Sequence, residues 1–371
     1  MYYYFLLMIL LGLMITLGLF YRISILMLAI LWSGIYLSCK TQYNNHYYLI
    51  ALLCWIMVFM PANRRFSIDE RVNPKILTCK FYRWQLWIFI FQISCMYVFA
   101  GLAKLNYDWL HAIPLKFWLP LKTGVPLFGH LLRNPIMPWL ITYGGLLFDL
   151  LVVPGLLYSK TRKSVFIILV AFHLFNGIVF RIGSFPFLAV SLSVFFFPTS
   201  YFDKYLFSKK LKDTVTKFSD IKTFWINIAI AAYVGLQLFL PVRHLLLKGP
   251  VSWTEEGHRM AWQMMLRSKR GNMYFTVKDK STDSVWHIQP QTFINKESLT
   301  EVAVLPDVTW QAAQLLKNKY ATQHINVAVF AHNNVSLNYK AYKLLIDTTV
   351  DLASVKWNCF EHSNWILLYD N

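Results

Sequence analysis

Several polar side chains in this sequence lie inside or at the ends of long apolar runs. They are Lys104, His46, Asp149, His173, Asn176 and Arg181. Burying an ionisable group among apolar residues costs free energy, so such a residue usually faces a cavity and takes part in ion or proton chemistry. Lysine and histidine exchange protons, and a carboxylate can hold one. These residue types therefore predict acid–base chemistry within the apolar part of the chain.

Each of these residues also has a purely structural interpretation. A lysine at the end of an apolar helix commonly extends its ammonium group to the lipid headgroups. His46, beside a loop, is compatible with a residue at a membrane interface. Asp149 can form a polar network with His173, Asn176 or Arg181 that only holds two helices together. The sequence alone leaves these alternatives open.

The sequence patterns of several other kinds of site are missing. The ten histidines are scattered, and none has the H-x-x-x-H spacing of a metal site. Neither a Ser-His-Asp arrangement nor a Gly-rich phosphate motif is present. We therefore predict no metal site.

The composition is that of an integral membrane protein. Of the 371 residues, 57% are apolar and 15% are charged, with a mean hydropathy of +0.43. A soluble domain has about 45–50% apolar and about 25% charged residues, and a disordered chain has fewer apolar ones. The net charge of +18 comes mainly from Lys and Arg between apolar runs, as in cytoplasmic loops of membrane proteins. This distribution predicts a lipid bilayer and no nucleic acid as partner.

Eight apolar stretches are candidates to cross the membrane, which takes about 20 mostly apolar residues per helix. They are residues 1–21, 23–38, 47–61, 84–103, 138–158, 165–180, 184–198 and 223–241. A further stretch, 108–132, is amphipathic and interrupted by Pro114, Pro120 and Pro126. We expect it to lie near an interface.

The loops between these stretches differ in positive charge. The first, third, fifth and seventh loops hold 16 Lys and Arg, and the other three hold 6. Because cytoplasmic loops hold the excess, the N-terminus and everything after Pro241 are predicted to lie on the opposite side. Asn45, His46 and Lys104 share that side. The N-terminus lacks a basic signal region, so either the number of spans is off by one or one upstream helix is absent from this chain, and we expect the second.

The chain changes character after the last apolar stretch. We predict an α-helical polytopic membrane domain over residues 1–242, followed by a small mixed, mostly β extracytoplasmic domain over residues 243–371. Apolar periodicity and turn residues identify elements within the second domain. The predicted elements are a hairpin of Met273–Val277 and Val285–Ile288, a helix at Val308–Tyr320, and strands at Ile325–Phe330 and Ser336–Leu345.

Aromatic and methionine side chains are concentrated just before the predicted hairpin. Trp253, Trp262, Met264 and Met265 stand beside acidic, amide and basic residues. This combination suits a flat apolar ligand next to a polar partner. The alternative is an amphipathic helix that packs Trp262 and Met265 into its own core.

The cysteines argue against thiol redox chemistry, because they are widely spaced and include no C-x-x-C pair. They are Cys39, Cys54, Cys79, Cys95 and Cys359. We expect mostly unpaired, buried thiols. A disulfide between Cys359 and a membrane-proximal cysteine stays open as an alternative.

Taken together, the sequence resembles vitamin K-dependent γ-glutamyl carboxylase and the bacterial membrane proteins that share its transmembrane domain. The resemblance covers almost the whole chain in the same order. Each matching segment is short, but their common order across both domains makes the match specific. The segments are Asn44–His46, Ala100–Leu105, Gly144–Leu150, Phe172–Phe185, Trp253–Thr254, Trp262 with Met264 and Met265, Val350–Asp351, and Trp365.

The resemblance implies catalytic roles for three residues. Lys104 corresponds to the lysine thought to deprotonate the vitamin K hydroquinone. Asn45 and His46 correspond to a functionally important pair, whose histidine is linked to the glutamyl carbanion or to its carboxylation. The residues that correspond to positions near the hydroquinone and glutamate sites are Trp253, Trp262, Met264 and Met265.

Two positions depart from the family pattern. His258 stands where the family has a tyrosine of the glutamate site, and Arg267 stands where it has a histidine. We expect His244 and His258 to take part in substrate binding. The departures weaken the glutamate-docking assignment and favour a different acceptor.

The resemblance further implies a carbon–carbon lyase that carboxylates glutamyl residues of a peptide or protein and epoxidises its quinol. The co-substrates would be reduced vitamin K or a menaquinol-type naphthohydroquinone, O2 and CO2, without a metal. The soluble domain would face the periplasmic side of a bacterial inner membrane, or the ER lumen in a eukaryote. Alternatives are a quinol-epoxidising or quinol-binding protein with another acceptor, and an inert membrane scaffold of the same fold.

The implied chemistry places a demand on the lysine. A lysine acts as a base only when its amine is neutral, which burial favours. Lys104 fits this demand in the sequence, because no acidic residue is nearer along the chain than Asp108.

Overall fold

The structure is a computed structural model that describes residues 2–76, 80–126, 128–198, 200–201, 217–219 and 224–369. Its α-helices are α1 Tyr2–Leu17, α2 Tyr21–Ser38, α3 Asn45–Val58, α4 Ile68–Val72, α5 Arg83–Ala103, α6 Tyr107–Leu110, α7 Ile113–Trp118, α8 Met137–Leu157, α9 Arg162–Phe180, α10 Phe185–Ser193, α11 Phe224–Val242, α12 Val251–Thr254, α13 Leu299–Val304 and α14 Pro306–Ala321. Its strands are β1 Lys80–Tyr82, β2 Lys217–Ser219, β3 Lys269–Asp279, β4 Val285–Ile288, β5 Val327–Leu337 and β6 Lys343–Leu344.

The apolar stretches of the sequence form the long helices. Each of the eight predicted stretches coincides with one of α1, α2, α3, α5, α8, α9, α10 and α11. Among the described residues, α2, α5, α8, α9 and the continuous stretch Phe224–Leu246 are long and apolar enough to cross a membrane, whereas α1, α3 and α10 are shorter. The prediction of a helical membrane domain is confirmed.

The helices pack largely in chain order, with one exception that matters for the site. α1 packs on α2, α2 on α3, and α8 on α9, but α5 packs chiefly against α8. At this contact a Cβ on Gly101 would lie 2.6 Å from Leu150 Cδ2. The two helices therefore approach more closely at Gly101 than a larger residue would allow, and the end of α5 lies beside the middle of α8.

The proline-interrupted stretch between α5 and α8 forms several short helices. α6 and α7 are followed by 3₁₀ turns at Leu119–Lys122 and Leu131–Arg133. Pro114 falls in the first turn of α7, where its missing N–H is harmless. Trp109, Leu115 and other apolar residues of the stretch form a buried cluster with residues of α9. The stretch thus adds a packed layer beside the helical bundle.

Asparagine side chains begin two helices near the site. Asn44 Oδ1 accepts a hydrogen bond from the His46 N–H at 2.8 Å, and Asn106 Oδ1 accepts one from the Trp109 N–H at 3.0 Å. Such N-caps satisfy an otherwise unpaired N–H and contribute about 1 kcal/mol each. The first cap fixes Asn45 and His46 in the first turn of α3.

A four-stranded antiparallel sheet of order β4-β3-β5-β6 forms the centre of the C-terminal region. β3 and β4 form the predicted hairpin, with Phe275 opposite Ile288. β5 pairs along the whole length of β3, and α14 packs on β5. Phe275, Val329 and Leu316 are among the residues of its buried core. The predicted helix and the mostly β character are confirmed.

One predicted strand is wrong in its extent. Residues predicted as a strand at Ser336–Leu345 divide between the end of β5 and the short β6. Asn338 and Tyr339 turn the chain with φ of 50° and 64°, in the left-handed region. The alternation of apolar residues carries no information about this turn, and neither of its two residues is a glycine.

The segment of residues 255–267, called the strap below, links α12 to β3 without forming a helix. Five of its residues have positive φ: Glu255, Gly257, Met260, Trp262 and Met265. Outside glycine this conformation costs about 1–2 kcal/mol per residue, so tertiary contacts must hold it. The alternative of an amphipathic helix is wrong.

Four of the five cysteines belong to the described residues and are free: Cys39, Cys54, Cys95 and Cys359. Cys54 and Cys95 are buried, as expected for unpaired thiols, whereas Cys359 is exposed. Cys79 lies outside the described residues.

Candidate active site

A narrow cavity of about 90 Å³, called the inner cavity below, lies between the long helices α5, α8 and α9, the shorter helices α3, α6, α7 and α10, and the strap. Its walls are mostly apolar and aromatic and include Trp109, Trp118, Phe172, Phe180 and Phe185. The structure brings five of the polar residues predicted from the sequence to this one space. They are His46, Lys104, Asp149, His173 and Asn176.

Lys104 forms a buried ion pair at the C-terminal end of α5. Its Nζ donates to Asp149 Oδ2 at 2.5 Å and to the Ala100 carbonyl at 3.3 Å. Lys104 is 7% exposed and Asp149 is 6% exposed, so each charge depends on the other for compensation. Sequence distance was misleading here, because the acidic partner lies 45 residues away on α8 rather than at Asp108.

A second buried pair connects α5 with α9. Tyr97 Oη and His173 Nε2 lie 2.7 Å apart. Tyr97 precedes Lys104 by seven residues, so it lies on the same face of α5 about two turns away. His173 is 2% exposed, and its Nδ1 has no hydrogen-bond partner.

A larger and more polar cavity of about 690 Å³, called the outer cavity below, lies between the start of α3, the end of α9 and the C-terminal region. His46, Ile182, Met264 and Met265 line both cavities. The His46 ring stacks on Phe185 with 4.0 Å between centroids. The two cavities therefore adjoin at His46 and the methionine pair.

The predicted polar network was to join Asp149 with His173, Asn176 and Arg181. Among the described residues, the first three of these side chains make their hydrogen bonds to other partners. Asp149 and His173 instead pair with α5, and Asn176 Nδ2 donates to the Phe172 carbonyl of its own helix at 2.9 Å. Arg181 ends α9 with a φ of 52° and lines the outer cavity. The physical reason is that α5 is the closest neighbour of α8.

Asn45 holds the strap against the start of α3. Its Nδ2 donates to the Gln263 carbonyl at 3.2 Å. Its Oδ1 accepts from Tyr43 Oη at 2.9 Å, and the same hydroxyl accepts from the Met260 N–H at 2.6 Å. These bonds offset the left-handed backbone and keep Met264 beside His46. Asn45 thus joins the start of α3 to the strap.

The four predicted cofactor-binding residues separate into two groups. Met264 and Met265 line both cavities, whereas Trp253 and Trp262 line neither. Trp253 is fully buried in the sheet core and its Nε1 donates to the Leu367 carbonyl at 2.8 Å. Trp262 is fully buried against Tyr48, with 5.1 Å between ring centroids. In this structure both tryptophans are buried packing residues, Trp253 in the sheet core and Trp262 against α3.

A charged cluster forms one wall of the outer cavity. Glu255 accepts two hydrogen bonds from Arg267, and its Oε1 lies 3.3 Å from Lys269 Nζ. Burial alone would raise the pKa of Glu255, but Arg267 and Lys269 hold this pKa below its usual value. Burial lowers the pKa of Lys269 to about 8, although Glu255 opposes the shift.

Of the two histidines predicted to bind substrate, only His258 reaches a cavity. Its Nδ1 donates to the Glu255 carbonyl at 2.5 Å, and the residue lines the outer cavity. Burial lowers the pKa of His258 to about 4, with Glu255 opposing. His244 lines neither cavity. It packs against the strap at Gly257, where a Cβ would lie 3.0 Å from His244.

His258 should make folding sensitive to acid. Its folded pKa is below the unfolded value of about 6.5, so the unfolded state binds more protons as pH falls from about 6.5 to about 4, and stability decreases there. We expect His258→Gln to lose less thermal stability than the wild type between about pH 7 and about pH 5. The control is His287→Gln at an exposed histidine of β4. Parallel pH curves for wild type and His258→Gln would contradict this role.

Two groups in the site were not predicted from the sequence. Tyr97 was overlooked because a tyrosine in an apolar run is common, although its seven-residue spacing from Lys104 was a usable signal. The charged cluster of Glu255, Arg267 and Lys269 was overlooked because the strap that folds it together has no regular periodicity. Within the described ranges, no group of three or more His, Cys, Asp or Glu side chains could hold a metal ion.

Comparison with known families agrees with this architecture. A model of the HTTM domain matches residues 1–201, and a model of the vitamin K-dependent gamma-carboxylase lumenal domain matches residues 222–371. The helical bundle and the sheet thus define a membrane protein of the HTTM class with a lumenal-type domain. The chain belongs to the vitamin K-dependent gamma-carboxylase family. No solved structure matches it significantly.

Proposed function

We propose that this protein carboxylates the γ-carbon of glutamyl side chains in a peptide or protein, using a reduced naphthoquinone, O2 and CO2. Membership in the family supports vitamin K-dependent carboxylation at the level of the family. The observation that carries the assignment to residues is the buried Lys104–Asp149 pair, in a cavity that adjoins the outer cavity at His46. We further propose that residues 1–242 and 243–371 are the two domains.

The inner cavity fits a naphthohydroquinone by its chemistry. Flat aromatic side chains such as Phe172 and Trp109 can stack on a ring system, and Lys104 offers a basic nitrogen beside it. When bound, the hydroquinone would supply, through its reaction with O2, a base stronger than any side chain. The protein must therefore bind and orient it, and keep water away.

Lys104 would remove a proton from the bound hydroxyl at its Nζ. This nitrogen can accept a proton only when it is neutral. Asp149 Oδ2, at 2.5 Å, can take the proton that the ammonium group must lose first. The pair would thus move one proton between two buried atoms without a water molecule.

The outer cavity would hold the acceptor side chain. Arg267 and Lys269 on its wall are engaged by Glu255, whereas Arg181 has no ion pair within the described part of the chain. We assign Arg181 to the carboxylate of the acceptor, because a guanidinium group binds a carboxylate with two hydrogen bonds. Met264 and Met265 would separate this carboxylate from the ring in the inner cavity.

The departures at His258 and Arg267 favour one alternative, a protein that oxidises the quinol but modifies a different acceptor. Their side chains occupy the wall that an acceptor would contact. The membrane location and the lumenal side for residues 243–371 are common to both functions. The inert-scaffold alternative remains as a third outcome of the test.

The decisive experiment supplies detergent-solubilised protein with a reduced naphthoquinone, O2, labelled bicarbonate and a glutamate-rich peptide. Epoxide formation and label in the peptide are measured together. Both products support the carboxylase, and epoxide alone supports another acceptor. Loss of neither product in Lys104→Ala would exclude the proposed site, and the absence of both in the wild type would favour the scaffold.

His46→Ala should separate the two half-reactions. Because His46 lines both cavities whereas Lys104 lines only the inner one, we expect label fixed in peptide to fall by about tenfold or more while epoxide formation falls less. The matched control is His111→Ala, an exposed histidine stacked on Tyr107. Equal loss of both products would show that His46 acts earlier in the reaction or in folding.

A further inference from the structure

His173 has a polar atom that the protein itself leaves unsatisfied. The side chain is 2% exposed and lines the inner cavity, yet Nδ1 has no hydrogen-bond partner. Leaving a buried polar atom unpaired costs free energy, so such atoms in native proteins normally have a ligand or water as partner. The atom therefore requires a partner within this cavity that the chain does not supply, either a water molecule or a ligand.

The tyrosine partner determines which ring nitrogen carries the proton. Tyr97 Oη is 2.7 Å from His173 Nε2, and the hydroxyl has no other hydrogen bond among the residues described. If the hydroxyl is to donate its proton, Nε2 must accept it, and a neutral ring then carries its own proton on Nδ1. With this assignment of the proton, Nδ1–H is a donor that lacks an acceptor.

The surroundings of His173 show what kind of acceptor fits. Phe172 and Phe185 lie edge-on to its ring, with centroid distances of 5.4 and 5.5 Å. Lys104 lies at the end of α5, and Tyr97 lies about two helical turns away. Lys104 and the Tyr97–His173 pair therefore line the same cavity from points about two turns apart along α5, and aromatic side chains line it as well. A flat aromatic molecule with an oxygen at each end of its ring satisfies this arrangement.

We propose that His173 Nδ1–H donates a hydrogen bond to one ring oxygen of a naphthohydroquinone, while Lys104 contacts the oxygen on the opposite side of the ring. This inference rests on the proposed function and deepens it. His173 is here a positioning residue that decides which hydroxyl meets Lys104. Tyr97 acts through His173, by holding the imidazole proton on Nδ1.

The test is a thermodynamic cycle that compares two proteins, with and without the His173 imidazole, and two ligands, with and without one ring oxygen. The ligands are 2-methyl-1,4-naphthohydroquinone, kept under argon, and 2-methyl-1-naphthol, which lacks one ring oxygen. Dissociation constants are measured by quenching of tryptophan fluorescence with the full chain in detergent. We expect the wild type to bind the hydroquinone about three- to tenfold more tightly than the naphthol. This ratio should fall to about one in His173→Phe, because the donor is gone while a flat ring remains.

Each other outcome overturns the inference. An unchanged ratio in His173→Phe means that Nδ1 does not bind the ligand, while the proposed function stands because the hydroquinone still binds. Equal weakening of both ligands means that His173 only packs. A wild type that binds neither ligand removes the proposed function as well. If His173→Phe does not fold, the same two dissociation constants are measured with Tyr97→Phe, which removes the group that holds the imidazole proton on Nδ1. A ratio of these constants equal to that of the wild type then contradicts the proposal.

Discussion

Replacing Lys104 with arginine should reduce epoxide formation and carboxylation together by at least about a hundredfold, the usual contribution of a positioned base. Arginine keeps the positive charge and can still pair with Asp149, so the fold should persist. Its guanidinium group, however, does not lose its proton in proteins. The measurement is the paired assay of epoxide and fixed label, with thermal unfolding to show that the variant is folded.

A second lysine provides the control for this substitution. Lys116 Nζ lies 4.4 Å from the centroid of the Trp139 ring, so it also makes an aromatic contact near the bundle but lies outside both cavities. Lys116→Arg should retain activity within about twofold, because Arg also stacks on aromatic rings. Near-normal turnover in Lys104→Arg would remove Lys104 as the proton acceptor.

Replacing Asp149 with leucine should destabilise the folded protein by about 3–5 kcal/mol, because Lys104 is left as an uncompensated buried charge. The measurement is the thermal or denaturant unfolding midpoint in detergent. Combining Asp149→Leu with Lys104→Met should recover most of the loss, since two apolar side chains of similar size replace the pair. The double variant should be folded and inactive.

An exposed ion pair provides the comparison. Lys278 Nζ lies 2.7 Å from Asp283 Oδ1, and the two side chains are 43% and 80% exposed. Asp283→Asn should cost about 0–1 kcal/mol, as for surface pairs. If Asp149→Leu costs no more than Asp283→Asn, the Lys104–Asp149 contact is not a buried charge pair in solution.

The sequence predicted the helical half of the fold well because apolar length is a local property. All eight predicted stretches are helices, since a run long enough to span lipid must satisfy its own backbone hydrogen bonds. The hairpin of β3 and β4 was predictable for a similar reason, as its strands are adjacent in the chain. The strap was not predictable, because its left-handed backbone occurs at Met260, Trp262 and Met265 and depends on contacts with α3.

The sequence predicted several polar residues that line the inner cavity, but not which of them form hydrogen bonds with each other. Lys104, His46, Asp149 and His173 were identified because each is a polar residue in an apolar run. Their partners depend on which helices are neighbours, and the contact of α5 with α8 rather than α6 or α7 carries no signal in hydropathy. The tryptophans were assigned to the ligand for their chemistry, whereas Trp253 is required by the sheet core.

The absence of a side chain at Gly101 sets the distance between α5 and α8 at the site. Besides the 2.6 Å approach to Leu150, a Cβ there would lie 3.3 Å from the Cβ of Asp149. Any side chain at 101 would push the acid away from the base one turn further on, without altering either functional group. Substitutions that enlarge the cavity for a bulkier quinone are therefore expected to be tolerated at the aromatic wall residues but not at residue 101. In a mutational scan, residue 101 should tolerate as little variation as Lys104 itself.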